Sequence, residues 1–333
     1  MTWRERRIVT FLSTILGILC IALLIVLGIK YRESRAPEAP ASPAAALAGE
    51  ESACSALRYT NGVATLEFQR NESGKWFWTA DDDFPLDDTH LTTILETLSA
   101  MTPQQTLESV ESLDELGLES PVTTISALYT SGTAFSLAFG STTADGSSVY
   151  ATQNGQSSPV YIYSGEILGL LQTGIHDMCT LPDVPAVAEE QVQRVTIQNP
   201  ANADGAMQRF TMNSKKDGET IRWECDGRTV TNSQRVRDLF TDLSEITFEK
   251  CISYRPSQEA AALCGVTNAK AVTLWANYIS STDLEETLQL SIGDLTLDGQ
   301  SRYVRLNGES AIYSVPLSSL DSILTIALNG FSG

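Results

Sequence analysis

The stretch FGSTTADGSSVYATQNGQSSPVYIY, Phe139 to Tyr163, returns later in the chain as IGDLTLDGQSRYVRLNGESAIY, Ile292 to Tyr313. Phe139-Gly140, Asp145-Gly146, Tyr150, Asn154-Gly155 and Val160-Tyr161 are echoed by Ile292-Gly293, Asp298-Gly299, Tyr303, Asn307-Gly308 and Ile312-Tyr313, with one residue deleted before the last pair. Asp-Gly and Asn-Gly tolerate positive φ at both central positions, so between alternating apolar residues they predict two-residue hairpin turns. The same antiparallel meander is therefore expected twice.

Upstream of each meander the correspondence continues. Leu57-Arg58-Tyr59 aligns with Val195-Thr196-Ile197 at an offset of 138, and Trp78 with Trp223 at 145. Leu91, Ile94, Leu95 and Leu98 align with Val236, Leu239, Phe240 and Leu243, also at 145. Gly117 aligns with Gly265 at 148, and Leu168 with Leu320 at 152. The offset changes only between elements, as insertions in surface loops produce. Within the first copy, Ala56 to Thr79 reads as two or three antiparallel strands with turns at Asn61-Gly62 and near Gly74. Leu91 to Met101 has the i, i+3, i+4, i+7 spacing of an amphipathic helix capped by Asp87 or Asp88. Leu113 to Leu118 is expected to be a short helical turn ended by Gly117, and Ile167 to Leu171 a last short helix.

Ahead of the body, Ile8 to Ile29 is 22 residues without a charge, about 33 Å as a helix and enough to cross a bilayer. It is too long for the apolar region of an ordinary signal peptide, although Ala44 to Ala48 could host cleavage. The expected organisation is α+β: residues 1–7 a cytoplasmic tail, 8–29 one transmembrane helix, 30–53 an Ala/Pro-rich tether, 54–183 the first repeat, 184–189 a linker and 190–330 the second repeat. Each repeat is expected to be an antiparallel sheet, a hairpin meander, with one main packed helix. Basic residues flank both ends of the apolar run, so the cytoplasmic placement of the N-terminus rests on the short tail and on a body without a cytosolic motif.

Of the 333 residues, 1–35 hold six Lys/Arg against two Glu, which leaves 16 against 39 for the rest, a body of net charge −23. Such a body repels phosphate backbones and anionic headgroups, so no nucleic-acid partner is expected. Six cysteines match no zinc spacing, and no CxxC occurs. A disulfide between Cys251 and Cys264 is the favoured pairing, because copy one has Thr106 and Leu116 at those places; Cys54 with Cys179 is a second candidate.

Several groups invite a chemical reading. Asp81-Asp82-Asp83 with Asp87 and Asp88 offers hard oxygen ligands, but matches no calcium loop with its turn glycine and terminal Glu, and a solvated turn with a helix cap accounts for it. His90 beside Asp87 and His176 beside Asp177 lack any nucleophile turn to serve, which leaves them as surface histidines. Trp76, Phe77, Trp78, Tyr161 and Tyr163 could line a stacking groove, yet aromatic residues on strands are more often sheet core. No catalytic, cofactor-binding or metal-binding residue and no cofactor is therefore expected.

A Trp-containing strand, Pro85-Leu86-Asp87 opening a helix, Leu116-Gly117-Leu118 then Pro121, and Gly140, Tyr150 and Val160-Tyr161 together resemble the bacterial family called domain of unknown function 4340. The resemblance covers both copies. In the second, Cys264-Gly265-Val266 keeps the glycine but not the proline, and Val230-Thr231 replaces Leu86-Asp87. It implies an α+β extracytoplasmic domain behind an N-terminal anchor, similar to auxiliary components of gliding-motility-type ABC transporters, and no assigned catalytic residue. The expectation is a non-enzymatic accessory protein whose partners are the membrane and ABC-type permease and ATPase subunits. The alternative is an extracytoplasmic binding module for an envelope polymer or small ligand.

Overall fold

The computed structural model describes residues 54–333 apart from 186, 201–205, 218–219, 231–232 and 332–333. The expected transmembrane helix and tether lie outside the described residues. Among the described residues no helix is long and apolar enough to cross a membrane.

The fold is α+β, built on two antiparallel sheets. The first holds β1 (Cys54–Asn61), β2 (Thr65–Arg70), β3 (Trp76–Trp78), β4 (Gln105–Leu107), β5 (Thr123–Tyr129), β6 (Ala134–Thr142), β7 (Ser148–Gln153) and β8 (Val160–Ser164), in the order β3-β2-β1-β5-β6-β7-β8-β4. The second holds β9 (Val192–Gln198), β10 (Arg209–Asp217), β11 (Thr220–Cys225), β12 (Arg228–Thr229), β13 (Lys250–Ser253), β14 (Val272–Ile279), β15 (Glu285–Leu295), β16 (Ser301–Leu306) and β17 (Ile312–Pro316), in the order β12-β11-β10-β9-β14-β15-β16-β17-β13. Apart from the extra edge strand β12, the two orders are the same. In each sheet the strand that follows the main helix pairs at the far edge, β4 with β8 and β13 with β17. By contacts the chain falls into two compact units: 92–122 with 128–167, and 55–91 with 123–127 and 168–333.

The main helices are α1 (Thr89–Ala100) and, in the second copy, α3 (Ser233–Glu245); α2 (Glu166–Leu171), α4 (Gln258–Leu263) and α5 (Asp321–Asn329) are shorter. α1 buries Leu91, Ile94, Leu95 and Leu98, and α3 buries Val236, Leu239, Phe240 and Leu243. Each such side chain contributes roughly 2 kcal/mol by leaving water, which a 12-residue helix needs because propensity alone does not hold it. The Asp87 carboxylate accepts from Thr89 N at 3.1 Å and Thr89 Oγ1 at 2.6 Å, as the capping expectation required. The second copy departs from the expectation of one main helix. α5 is nine residues long and packs on α3, β9, β10 and β14, with Ser322 N of its first turn held by Asp242 Oδ2 of α3 at 2.8 Å.

The turns that open the argument also differ from a two-residue hairpin. Asp145-Gly146 lies in a longer connection: Gly146 N donates to Thr143 O at 2.8 Å, and the Asp145 carboxylate takes the Thr143 hydroxyl at 2.6 Å and Ser147 N at 3.2 Å. Thr296, Asp298 and Gly299 repeat this with the same 2.6 Å hydroxyl bond. Those side-chain bonds hold the aspartate at negative φ, so only the glycine turns left-handed. At Asn154-Gly155 (φ 51° and 70°) and Asn307-Gly308 (φ 48° and 74°) both residues do, and the asparagine Oδ1 accepts from Ser136 N and Gln289 N, each at 2.9 Å. Even there the chain runs on for several residues before β8 or β17.

Each meander carries one bulge. The pairing slips by a residue between Phe139 and Thr142, and again between Ile292 and Leu295. The bulged N–H groups donate to a carbonyl of the incoming turn, Ser141 N to Leu116 O at 2.7 Å and Asp294 N to Cys264 O at 2.9 Å. A Cβ on Gly140 or Gly293 would overlap those carbonyl oxygens and sit 2.9 Å from Leu118 Cγ or 2.8 Å from Val266 Cγ1. These two glycines are required by contact with backbone, not by φ. Gly293→Ala is accordingly expected to destabilise the protein by at least about 2 kcal/mol in urea denaturation. Gly169→Ala, at an exposed helical site with nothing within 4 Å, should instead stabilise it by roughly 0.5–1 kcal/mol.

Candidate functional site

The densest meeting of chemically capable side chains lies within the unit formed by 55–91 and 168–333. After β3, a chain of tight turns runs from Trp78 to Leu86: Asp81 N donates to Trp78 O at 3.2 Å and Phe84 N to Asp81 O at 3.1 Å. Residues 85–87 then pair with 178–180. Asp87 N donates to Met178 O at 2.8 Å, Thr180 N to Pro85 O at 2.7 Å, and Leu86 faces Cys179 in a bridge. Those turns place Phe84 at the centre of three edge-to-face contacts, with Trp78 at 5.6 Å, Tyr254 at 5.3 Å and His176 at 6.4 Å.

Arg255 closes the cluster from the other side. Its guanidinium meets Asp81 Oδ1 at 3.2 Å and Asp83 Oδ2 at 2.9 Å and stacks 5.4 Å from the Tyr254 ring, whose hydroxyl donates to Asp83 O at 3.0 Å. The carboxylates of Asp81, Asp82 and Asp83 have ligand atoms within 4.8 Å of one another, as a cation site would. Two of the three share the one guanidinium, so the expected solvated turn is also an ion-paired one. Asp87 is held below the usual carboxylate range by the Thr89 hydroxyl and then its N–H, which marks it as a helix cap.

The histidines are half-buried and not simply at the surface. His90 Nε2 lies 2.9 Å from Leu170 O, so that ring nitrogen carries the proton. His176 rests its ring against Phe84, and burial lowers its pKa from 6.5, opposed by the neighbouring Asp177. Trp76 is buried, Trp78 and Phe77 are half-buried, and Tyr161 and Tyr163 are buried, so these aromatic residues act as sheet core. Trp76 is covered by Arg70, whose guanidinium carbon lies 4.6 Å from the ring.

Both expected disulfides are absent: Cys54, Cys179, Cys225, Cys251 and Cys264 are not bridged. The reason for the first is the side from which β13 is approached. Ile252 packs with Cys264 against Ala261, Val266 and Ile312, while its neighbour Cys251 pairs in register with Tyr313 and its thiol neighbours that of Cys179. Cys179 neighbours Cys251. The contacts of Phe84 with Tyr254, of Asp83 with Arg255 and of Cys179 with Cys251 carry no local sequence signal, since partners some 70 to 170 residues apart share no period.

Away from this cluster, a polar cleft of about 370 Å³ lies on the second sheet, lined by Gln193, Arg194, Asn213, Asn277, Glu285 and Glu286 among others. Its side chains bond one another: Arg194 Nε donates to Asn213 Oδ1 at 2.8 Å, and Tyr278 OH to Glu286 Oε2 at 2.7 Å. Burial, with the Glu286 bond, pushes the Tyr278 hydroxyl up to about 12.

The family model for the domain of unknown function DUF4340 matches residues 76–260 and, again, 223–329. No curated protein and no solved structure matches the chain.

Two measurements test the Phe84 cluster. Phe84→Ala should cost about 3–5 kcal/mol, read by chemical denaturation, because it empties a site ringed by three aromatic groups. Because His176 binds its proton more weakly when folded, its contribution is present above pH 6.5 and is lost as pH falls through the lowered folded value. The denaturation midpoint of His176→Gln should therefore fall less than that of the parent between about pH 7.5 and pH 5.

Proposed function

The chain belongs to the DUF4340 family, and on that premise we propose that it is a membrane-anchored, extracytoplasmic, non-enzymatic accessory protein of an ABC-type export complex. In this reading residues 8–29 span the membrane, 1–7 face the cytoplasm, and 30–53 hold the two repeats, 54–183 and 190–330, off the bilayer. The observation that carries it is how the chemically capable groups are spent. Asp81 and Asp83 bind Arg255, the Tyr254 hydroxyl binds a main-chain carbonyl, and His90 binds another. Groups already tied to partners of the same chain build a rigid scaffold that presents surface, which is what a docking subunit needs. The exporter as partner rests on the resemblance of the family to transporter auxiliaries, an associational support.

A second reading, a binding module for an envelope polymer, is favoured by the polar cleft around Arg194, Asn213 and Asn277, whose planar amide and guanidinium groups suit a hydroxyl-rich ligand. Mild-detergent purification of the full-length protein from its native membrane, after chemical cross-linking, separates the two. Co-recovery of a permease and an ATPase is the expected outcome, and a lone polypeptide overturns the accessory reading. Protease added to intact cells or protoplasts should remove the acidic body; complete protection would reverse the orientation.

A further inference from the structure

We propose that Cys179 and Cys251 are a disulfide-forming pair, tying the segment that leaves the first sheet to the edge strand of the second. Each side is positioned by structure that does not depend on the sulfurs. Cys179 is fixed through its flanking residues, by Thr180 N on Pro85 O and by Met178 O accepting from Asp87 N, and it faces Leu86 in a bridge. The short 3-10 helix Ile175–Met178 just before it packs on β13. Cys251 is fixed on that strand by its register with Tyr313, and Phe84 spans the same join, touching both His176 and Tyr254. Two buried thiols that neighbour each other, on packed elements held this way, are placed to bond.

The two thiols are not equivalent. The hydrogen bond from Cys251 lowers the pKa of Cys179, while the same bond, burial and the neighbouring sulfur raise that of Cys251. Cys179 is also the more accessible, at 8% against 4%. It is therefore the attacking sulfur. Its thiolate displaces one sulfur of a donor disulfide, either a low-molecular-weight disulfide or that of a thiol oxidoreductase, and the displaced thiolate takes up a proton. Cys251 then loses its proton and attacks the Cys179 sulfur, releasing the second donor thiol. Two electrons and two protons pass from the cysteine pair to the donor, whose disulfide becomes two thiols. This inference rests on the geometry of the pair and not on the compartment in which the protein works.

The test uses the full chain with oxidised glutathione as the donor. The native protein is incubated with it, quenched with N-ethylmaleimide, unfolded and mapped without reductant. The expected product joins the Cys179 and Cys251 peptides, two hydrogens lighter than the reduced pair, with Cys225 and Cys264 alkylated, and the unfolding midpoint rises relative to the reduced protein. Cys251→Ser should stall at a glutathione adduct on Cys179, and Cys264→Ser should leave the cross-link in place. A Cys251–Cys264 link, an adduct on Cys179 of the parent that never resolves, or complete alkylation of both thiols would each overturn the proposal.

Discussion

A main-chain carbonyl pressed into a strand bulge is the constraint on which both copies of this fold depend. Leu116 O in the first copy and Cys264 O in the second accept from the bulged N–H of Ser141 and Asp294, at a distance that leaves no room for a side chain on the preceding residue. The bulge shifts the pairing of β6 with β7 and of β15 with β16 by one residue. From there the meander, its Thr-x-Asp-Gly turn and its asparagine clamp follow with the same hydrogen bonds twice over.

The duplication extends to a tie across the far edge of each sheet. Ser148 Oγ donates to Gln104 Oε1 at 2.9 Å, and Ser301 Oγ to Glu249 Oε2 at 2.7 Å, each fixing the residue that precedes the edge strand. The edge strands themselves are short, three residues in β4 and four in β13, so this side-chain bond adds hold where the ladder is brief. Equivalent positions with Gln in one copy and Glu in the other keep the acceptor oxygen and change the charge, as a duplicated scaffold under surface drift would.

What distinguishes the copies is where segments of each meet. The turns around Phe84 have polar and aromatic partners in the segments 175–180 and 248–255, and the acidic run there, read as a solvated loop, doubles as the seat of Arg255. Because Arg255 is exposed, its ion pairs supply orientation more than stability. The buried ring of Phe84 supplies the hold. A cluster arranged in this way fixes one arrangement of its elements.

Strand order within each meander, the amphipathic helices and the repeat itself were legible in the residues, because each rests on short-range signals: the strands and turns from Ala56 to Thr79, the 3.6-residue spacing of Leu91 to Leu98, and glycines kept in step with apolar positions. The turn type was only half legible. Asp-Gly signals a left-handed residue, but the Thr143 and Thr296 hydroxyls, which decide that the aspartate stays right-handed, act through bonds that the dipeptide alone does not encode. Cysteine pairing was not legible at all. Proximity in sequence favoured Cys251 with Cys264, whereas the direction in which β13 points Cys251 is set by its register with β17. The sequence by itself determined which local elements form, since backbone sterics and side-chain periodicity act within a few residues. Which side chains meet across 70 or more residues, Cys179 with Cys251 and Phe84 with Tyr254, only the tertiary structure decided, because those contacts depend on how whole elements pack.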